Sequence, residues 1–265
     1  MTSEPTAAPS QPLPGDPFAR LEGPLAGTVR MRLEVVENRP VTPAMQQVVF
    51  TAPELASFSY RPGQDVMLLV DVDGGRPVRR RYTIRALDTA ARLLTLGIVR
   101  HSGGPGERWV RSAKPGDTIE GIGPRGKIFP AEGVDWHLFT GDFSALPAYL
   151  TMAASLPPGT PATVILEVPG PGDEQPFDRA GATVIWRHSG GRPAGDPAAL
   201  VDALGKVPLP AGRGHAYLAG EAKVVLAMRG TLAARGMDPG QLSPKAYWGR
   251  GKANASHGEP AKDDS

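Results

Sequence analysis

The chain contains no cysteine in 265 residues. That excludes disulfides, iron–sulfur clusters, thiolate-ligated haem and zinc–thiolate sites together, and it suits a cytoplasmic protein. No apolar run approaches the roughly 18 residues that cross a bilayer, so no membrane insertion is expected. The opening MTSEPTAAPSQPLPGDP has neither a basic nor an apolar segment and does not read as a secretory signal. Charge of one sign is also missing: 29 Lys and Arg face 27 Asp and Glu. No basic run is interleaved with aromatics, so no nucleic-acid groove is expected. The five histidines, at 101, 137, 188, 215 and 257, lack metal-ligand spacing, and no metal site is expected. H-E-x-x-H, G-x-S-x-G and the P-loop are all absent, which leaves hydrolase and kinase chemistry without support. No coiled-coil pattern or apolar surface stripe is evident, so a monomer is expected.

Glycine (33) and proline (29) are abundant, and they punctuate many short elements. From Gly27 to about Phe129 the segments TVRMRLEVVEN, MQQVVFTAP, QDVMLLVDV, RRYTIRAL and RLLTLGIVR read as strands. Five or six short strands at this spacing predict a small antiparallel barrel. GGPGERWVRSA predicts one short helix, with Pro105 at its first position and Trp109 and Val110 facing inward. KPGDTIEGIGPRGKIF then returns to strand.

From Val134 the pattern becomes strand–helix alternation. VDWHLFTGD, ATVILEV, ATVIWRH and GHAYLAG read as buried strands, and KAYWG as a final one. SALPAYLTMAASL, DPAALVDALG and EAKVVLAMRGTLAARG read as helices. The last helix puts Val224, Val225, Met228 and Leu232 on one face and ends at Gly236. Such alternation predicts a mostly parallel sheet with ligands at the carboxyl ends of its strands. The expected organisation is a Pro/Ala-rich disordered tail over 1–24, an antiparallel β-barrel domain over 25–132, an α/β domain over 133–251 and a disordered tail over 252–265.

Four stretches bear on chemistry. GIGPRG (121–126) matches G-x-G-x-x-G, but extended KIFP follows instead of a helix, so a turn at a domain junction is expected, presenting Arg125. FTGDFSALPA (139–148) joins a strand to a helix; it reads as a phosphate-approach turn or as an ordinary strand–helix turn. YLAGE (217–221) is a second such junction, where Glu221 either caps the helix or lines a cleft. RHSGGPGERW (100–109) offers consecutive amides for a diphosphate, or a plain turn.

RRRYTIR (79–85) surrounds one tyrosine with four arginines. In a strand, Arg80, Tyr82 and Ile84 share one face; Arg81, Thr83 and Arg85 share the other. An aromatic ring beside an arginine suits a stacked ring system joined to phosphate, such as a flavin, while a solvated strand edge also fits. Arg81 and Arg85 either serve other groups of a cofactor or solvate the barrel.

R-x-Y-T, H-x-x-G-P-x-x-x-W, G-P-R-G, G-D-x-[ST]-A-L-P-A, A-G-E and Y-W follow one another in register over about residues 27 to 251. In this the chain resembles the siderophore-interacting proteins, flavin-dependent ferric-siderophore reductases of the ferredoxin–NADP reductase superfamily. The resemblance implies that the barrel is an FAD-binding domain and the α/β unit an NAD(P)H-binding domain. It implies FAD contacts from Arg80, Arg81, Tyr82, Thr83, His101, Gly104, Pro105, Gly106, Glu107 and Trp109. Gly141, Asp142, Phe143, Ser144, Ala145, Gly220 and Glu221 would line the NAD(P)H cleft. Arg125, Lys127 and Arg250 would hold the ferric siderophore. The implied reaction passes electrons from NADPH or NADH, or from a ferredoxin, through FAD to Fe(III), releasing Fe(II) for intracellular iron supply. The flavin carries that chemistry, and no catalytic side chain is demanded. Two positions depart from the family pattern: Phe143 stands where a Glu is usual, and YWGRG replaces Y-W-R-x-G, with Gly249 in the first arginine's place. These departures keep two alternatives open, a reductase of the same fold with another acceptor and a non-catalytic siderophore or flavin binder.

Overall fold

A computed structural model describes residues 27–70, 77–100, 103–192 and 195–250. The expected terminal tails lie outside them. The first unit consists of β1 (Val29–Thr42), β2 (Met45–Thr51), β3 (Asp65–Val70), β4 (Val78–Asp88), β5 (Leu93–Val99), helix α1 (Pro105–Ser112) and β6 (Thr118–Arg125). Its six strands close into an antiparallel barrel in the order β1-β2-β5-β4-β3-β6. Period-two alternation explains the closure. Met31, Leu33 and Val35 of β1, Val66, Leu68 and Val70 of β3, and Leu94, Leu96 and Ile98 of β5 all point into one core. Val110 of α1 joins that core, and Trp109 stacks on Phe50, centroids 6.1 Å apart with planes 9° from parallel.

The second unit consists of β7 (Trp136–Asp142), α2 (Leu146–Ala154), β8 (Ala162–Val168), β9 (Ala182–His188), α3 (Ala198–Lys206), β10 (Gly214–Glu221), α4 (Ala222–Ala234) and β11 (Leu242–Trp248). The sheet order is β11-β10-β7-β8-β9, and all four pairings are parallel. Leu146, Tyr149 and Ala153 of α2 cover one face of the sheet. Leu200 and Leu204 of α3, with Val224, Val225, Met228 and Leu232 of α4, cover the other. The expected apolar face of α4 is therefore its buried face. Gly236, at φ 87°, ends the helix as the pattern predicts.

The two units share a continuous apolar interface. Met45 from the barrel belongs to the α2-side core, and Val41, Ala44, Val99 and Ile128 pack against it. Asp173, which is buried, accepts hydrogen bonds from Thr42 Oγ1 (2.7 Å) and Ala44 N (2.8 Å), clamping the β1–β2 turn to the second unit. The linker between β6 and β7 is tied down where Tyr217 Oη accepts from Ala131 N at 2.6 Å and lies 3.1 Å from His137 Nδ1. No helix among the described residues is long and apolar enough to cross a membrane.

Candidate functional site

Strand β4 passes between the barrel core and the second unit, so its two faces meet different surroundings. Ile84 is fully buried in the barrel core and Tyr82 packs against it. Arg80 follows on that same side at the barrel rim. Tyr82 carries its hydroxyl against the first turn of α1, where a Cβ on Gly106 would collide with Oη and stand 3.4 Å from Arg80 Cγ. Glycine is needed there for close approach rather than for backbone freedom. Burial, opposed by Arg80 and reinforced by Glu107, pushes the Tyr82 hydroxyl up to about 12, so the ring stays neutral.

Helix α1 begins with Gly104 at the cap and Pro105 at the first position. Glu107 is buried and anchors this entry: Oε2 accepts from Gly103 N (2.7 Å), and Oε1 accepts from Arg111 Nε (2.9 Å) and Nη2 (2.5 Å). Arg80, Tyr82, Gly104, Pro105, Gly106 and Glu107 thus converge on one rim of the barrel. Trp109 faces the core from the same helix. His101 lies outside the described residues.

The opposite face of β4 looks toward the second unit. Arg81 grips Asp65 with two hydrogen bonds, Nε to Oδ1 at 2.7 Å and Nη2 to Oδ2 at 2.6 Å. Lys245 of β11 reaches the same carboxylate at 3.5 Å. Arg125 lies opposite Asp65 in the register of the neighbouring strands β6 and β3, and its buried Nη1 has no hydrogen-bond partner among the described residues. Burial depresses Lys245, partly offset by Asp65; Arg125 is depressed by burial and then by neighbouring Arg81. Three cations therefore crowd one carboxylate at the junction, a local positive excess that suits an anionic ligand. Thr83 is buried beside them, opposite Asp65. Arg85 wedges against α2, with Nη1 3.5 Å from Pro147 O. Neither Arg81 nor Arg85 is a solvated barrel residue.

At the carboxyl end of the parallel sheet, Asp142 is a hub. Its Oδ1 accepts from Ser144 N (2.9 Å) and Oγ (2.5 Å); its Oδ2 accepts from Glu221 N (2.7 Å) and Trp248 Nε1 (2.9 Å). Glu221 caps α4 through Lys223 N (2.6 Å) and Val224 N (3.1 Å) and accepts from Arg250 N (3.1 Å). A Cβ on Gly141 would collide with Ala219 O, and one on Gly220, at φ 137°, would collide with the Asp142 carboxylate. Phe143 and Ala145 turn inward into the α2-side core. Gly141, Asp142, Ser144, Gly220 and Glu221 of the seven residues expected at this edge are thus brought together, with Phe143 and Ala145 packed behind them, and Arg250 joins through its backbone.

One expectation is revised. The GIGPRG stretch is not a turn: Gly121 to Arg125 form the end of β6, and the chain turns only at Gly126, φ 105°. Gly121 pairs with both β1 and β3, and a Cβ there would sit 2.8 Å from Leu33 Cδ1, so it serves barrel packing. Arg125 accordingly comes from a strand end. Lys127 lies beyond that turn and is exposed. Sequence reasoning missed Asp65 and Lys245. The signal was present as a lone charge in each of two otherwise apolar strands, QDVMLLV and SPKAYW.

A closed antiparallel barrel joined to a parallel α/β sheet, with the junction between them, defines the ferredoxin-reductase-like two-domain architecture. Residues 70–128 match the family described as siderophore-interacting FAD-binding domain, and residues 134–251 the family described as siderophore-interacting protein. A crystal structure of a siderophore utilization protein from T. fusca is similar over 88% of this chain and 97% of that one, with 31% identity and a TM-score of 0.79. The ferric vibriobactin reductase of Vibrio cholerae is 31% identical over 69% of each chain. An NADPH-dependent ferric-chelate reductase of Escherichia coli is 27% identical over 66% of this chain and 68% of its own. The chain belongs to the siderophore-interacting protein family.

Proposed function

We propose that the chain is an FAD-dependent reductase that passes electrons from NADPH or NADH to a ferric siderophore and releases Fe(II). The observation that carries this reading is the rim where Arg80 and Tyr82 meet the first turn of α1, beside the cation cluster at Asp65. That rim fits FAD. A neutral aromatic ring, an arginine and a glycine-lined helix start are what a stacked ring system joined to a diphosphate requires. In this reading residues 25–132 form the FAD domain and 133–251 the NAD(P)H domain.

Tyr82 supplies a stacking face, Thr83 and the β4 backbone offer hydrogen bonds, and Arg80 with Gly104, Pro105 and Gly106 and the flanking His101 holds the phosphate side, while Glu107 keeps that turn in shape through Gly103 N and Arg111. Trp109 stiffens the helix from within. Arg81 fixes Asp65 and presents positive charge to the junction. When bound, FAD supplies the exchange between a two-electron donor and a one-electron acceptor. Arg125, with Lys127 and Arg250, attracts the anionic ferric chelate, to which we add Lys245. The donor approaches the edge formed by Gly141, Asp142, Ser144, Gly220 and Glu221, with Phe143 and Ala145 packed behind it. Hard oxygen ligands hold Fe(II) more weakly than Fe(III), so reduction releases the metal. The cysteine-free composition supports a cytoplasmic site of action.

The test is direct. The purified protein is examined for a flavin spectrum, bleached anaerobically with NADPH or NADH, and then given a ferric siderophore and an Fe(II) trap. Bound FAD that is reduced and reoxidised with Fe(II) release supports the proposal. A protein that binds no FAD overturns it, and bleaching without Fe(II) release assigns another acceptor.

A further inference from the structure

We infer that Asp142 and Glu221 make the chain indifferent to the diphosphate half of its electron donor. The inference rests on the proposed reduction by a nicotinamide donor. Strand-to-helix turns at the carboxyl edge of a parallel sheet ordinarily hold phosphate through free amides at the helix start. Here part of that amide set is already taken by carboxylates of the chain itself: Asp142 caps the single turn Phe143–Ala145 that leads into α2, and Glu221 caps α4. Asp142 accepts from the amides of Ser144 and Glu221, and Glu221 accepts from those of Lys223 and Val224. Asp142 also accepts from Ser144 Oγ and Trp248 Nε1, and Glu221 from Arg250 N. Glu221 is only 2% exposed, so solvent does not compete for these bonds.

The arrangement is enforced sterically. Gly220 lacks the Cβ that would displace the Asp142 carboxylate, and Gly195 brings the loop after β9 over Glu221, where a Cβ would stand 3.1 Å from Glu221 Cγ. Two carboxylates therefore sit where two phosphates would need amides, and they repel phosphate besides. Such an edge recognises the dihydronicotinamide ring and gains little from the rest of the dinucleotide. NADPH and NADH are used with nearly equal efficiency, because the 2′-phosphate hangs on a half of the molecule that is not gripped.

The experiment compares NADPH, NADH and 1-benzyl-1,4-dihydronicotinamide as reductants of the FAD-loaded full chain, with calorimetric titration of ADP and 2′,5′-ADP alongside. The expected result is a kcat/KM for the phosphate-free donor within about tenfold of both dinucleotides, and no heat of binding from either adenosine diphosphate. A preference for a dinucleotide beyond about tenfold, or binding of either adenosine diphosphate, overturns the inference. Glu221→Gln is expected to bring ADP binding into the measurable range, and a folded E221Q that still ignores ADP counts against it. Should that variant fail to fold, the wild-type comparison decides. The reductase reading is checked separately by photoreducing the flavin and following Fe(II) release, which requires no nicotinamide.

Discussion

Gly106→Ala probes the contact on which the proposed flavin seat depends. Gly106 is in the first turn of α1, where alanine would favour the helix by about 0.5–1 kcal/mol if nothing opposed it. Its new methyl group, however, would fall on Tyr82 Oη. Tyr82 cannot retreat freely, because its ring packs against the barrel core. Overpacking of this kind costs about 1–3 kcal/mol. The clash of this Cβ with Oη is severe and places the cost at about 2–3 kcal/mol, so the net cost is about 1–2.5 kcal/mol, which corresponds to a loss of FAD affinity of about 5- to 70-fold if the seat bears it. The assay is titration of apoprotein with FAD, followed by flavin fluorescence. Tyr82→Phe deletes the obstructing oxygen, so G106A/Y82F should bind FAD within about threefold of Y82F alone. If the losses of the two single variants simply multiply, or if G106A binds FAD as the wild type does, Tyr82 and the start of α1 are not coupled as described.

Other perturbations give distinct readouts. Asp65→Ala leaves Arg81 and Lys245 without their buried carboxylate and should cost about 3–5 kcal/mol in chemical unfolding, whereas Lys245→Met, which spares the Arg81 pair, should cost clearly less. Arg125→Ala removes a guanidinium whose Nη1 has no partner among the described residues and should change stability by under about 1 kcal/mol, while raising the KM for an anionic ferric chelate about tenfold. His137 is held down to about 4 by burial, with His215 and Arg179 adding to it. Below its ordinary value near 6.5 the unfolded chain takes up a proton that the fold refuses. Its contribution to stability is thus intact above that value and is lost as the pH falls toward 4. Unfolding measured at neutral and acid pH should show the wild type losing about 3 kcal/mol more than His137→Gln across that window.

The architecture was largely legible because it rests on local periodicity. Alternation in MRLEVV and LLTLGIV can bury only one face, so a barrel follows; the apolar runs ATVILEV and HAYLAG need cover on both faces, so a parallel sheet between helices follows. The same periodicity divided β4 into its two faces. It could not say what each face meets, because that depends on residues far away in the chain. Arg81 found Asp65, 16 residues back, and that carboxylate found Lys245, 180 residues on. The GIGPRG stretch was misread as a turn for a similar reason, since only the neighbouring strands β1 and β3 reveal that its first glycine makes room for Leu33.

The candidate site divides in the same way. The sequence by itself determined which residue types stand at the strand ends and helix starts, and in what order, because turn chemistry is written locally in glycine, proline and acidic residues. Tertiary structure alone decided which hydrogen-bonding groups there are spent. Asp142 and Glu221 could be read as cleft residues until β7, β10 and β11 were brought side by side. Only then do their carboxylates meet the amides of the two helix starts and the Trp248 indole. Hydrogen bonds act over about 3 Å, so their partners are fixed by packing and not by spacing along the chain.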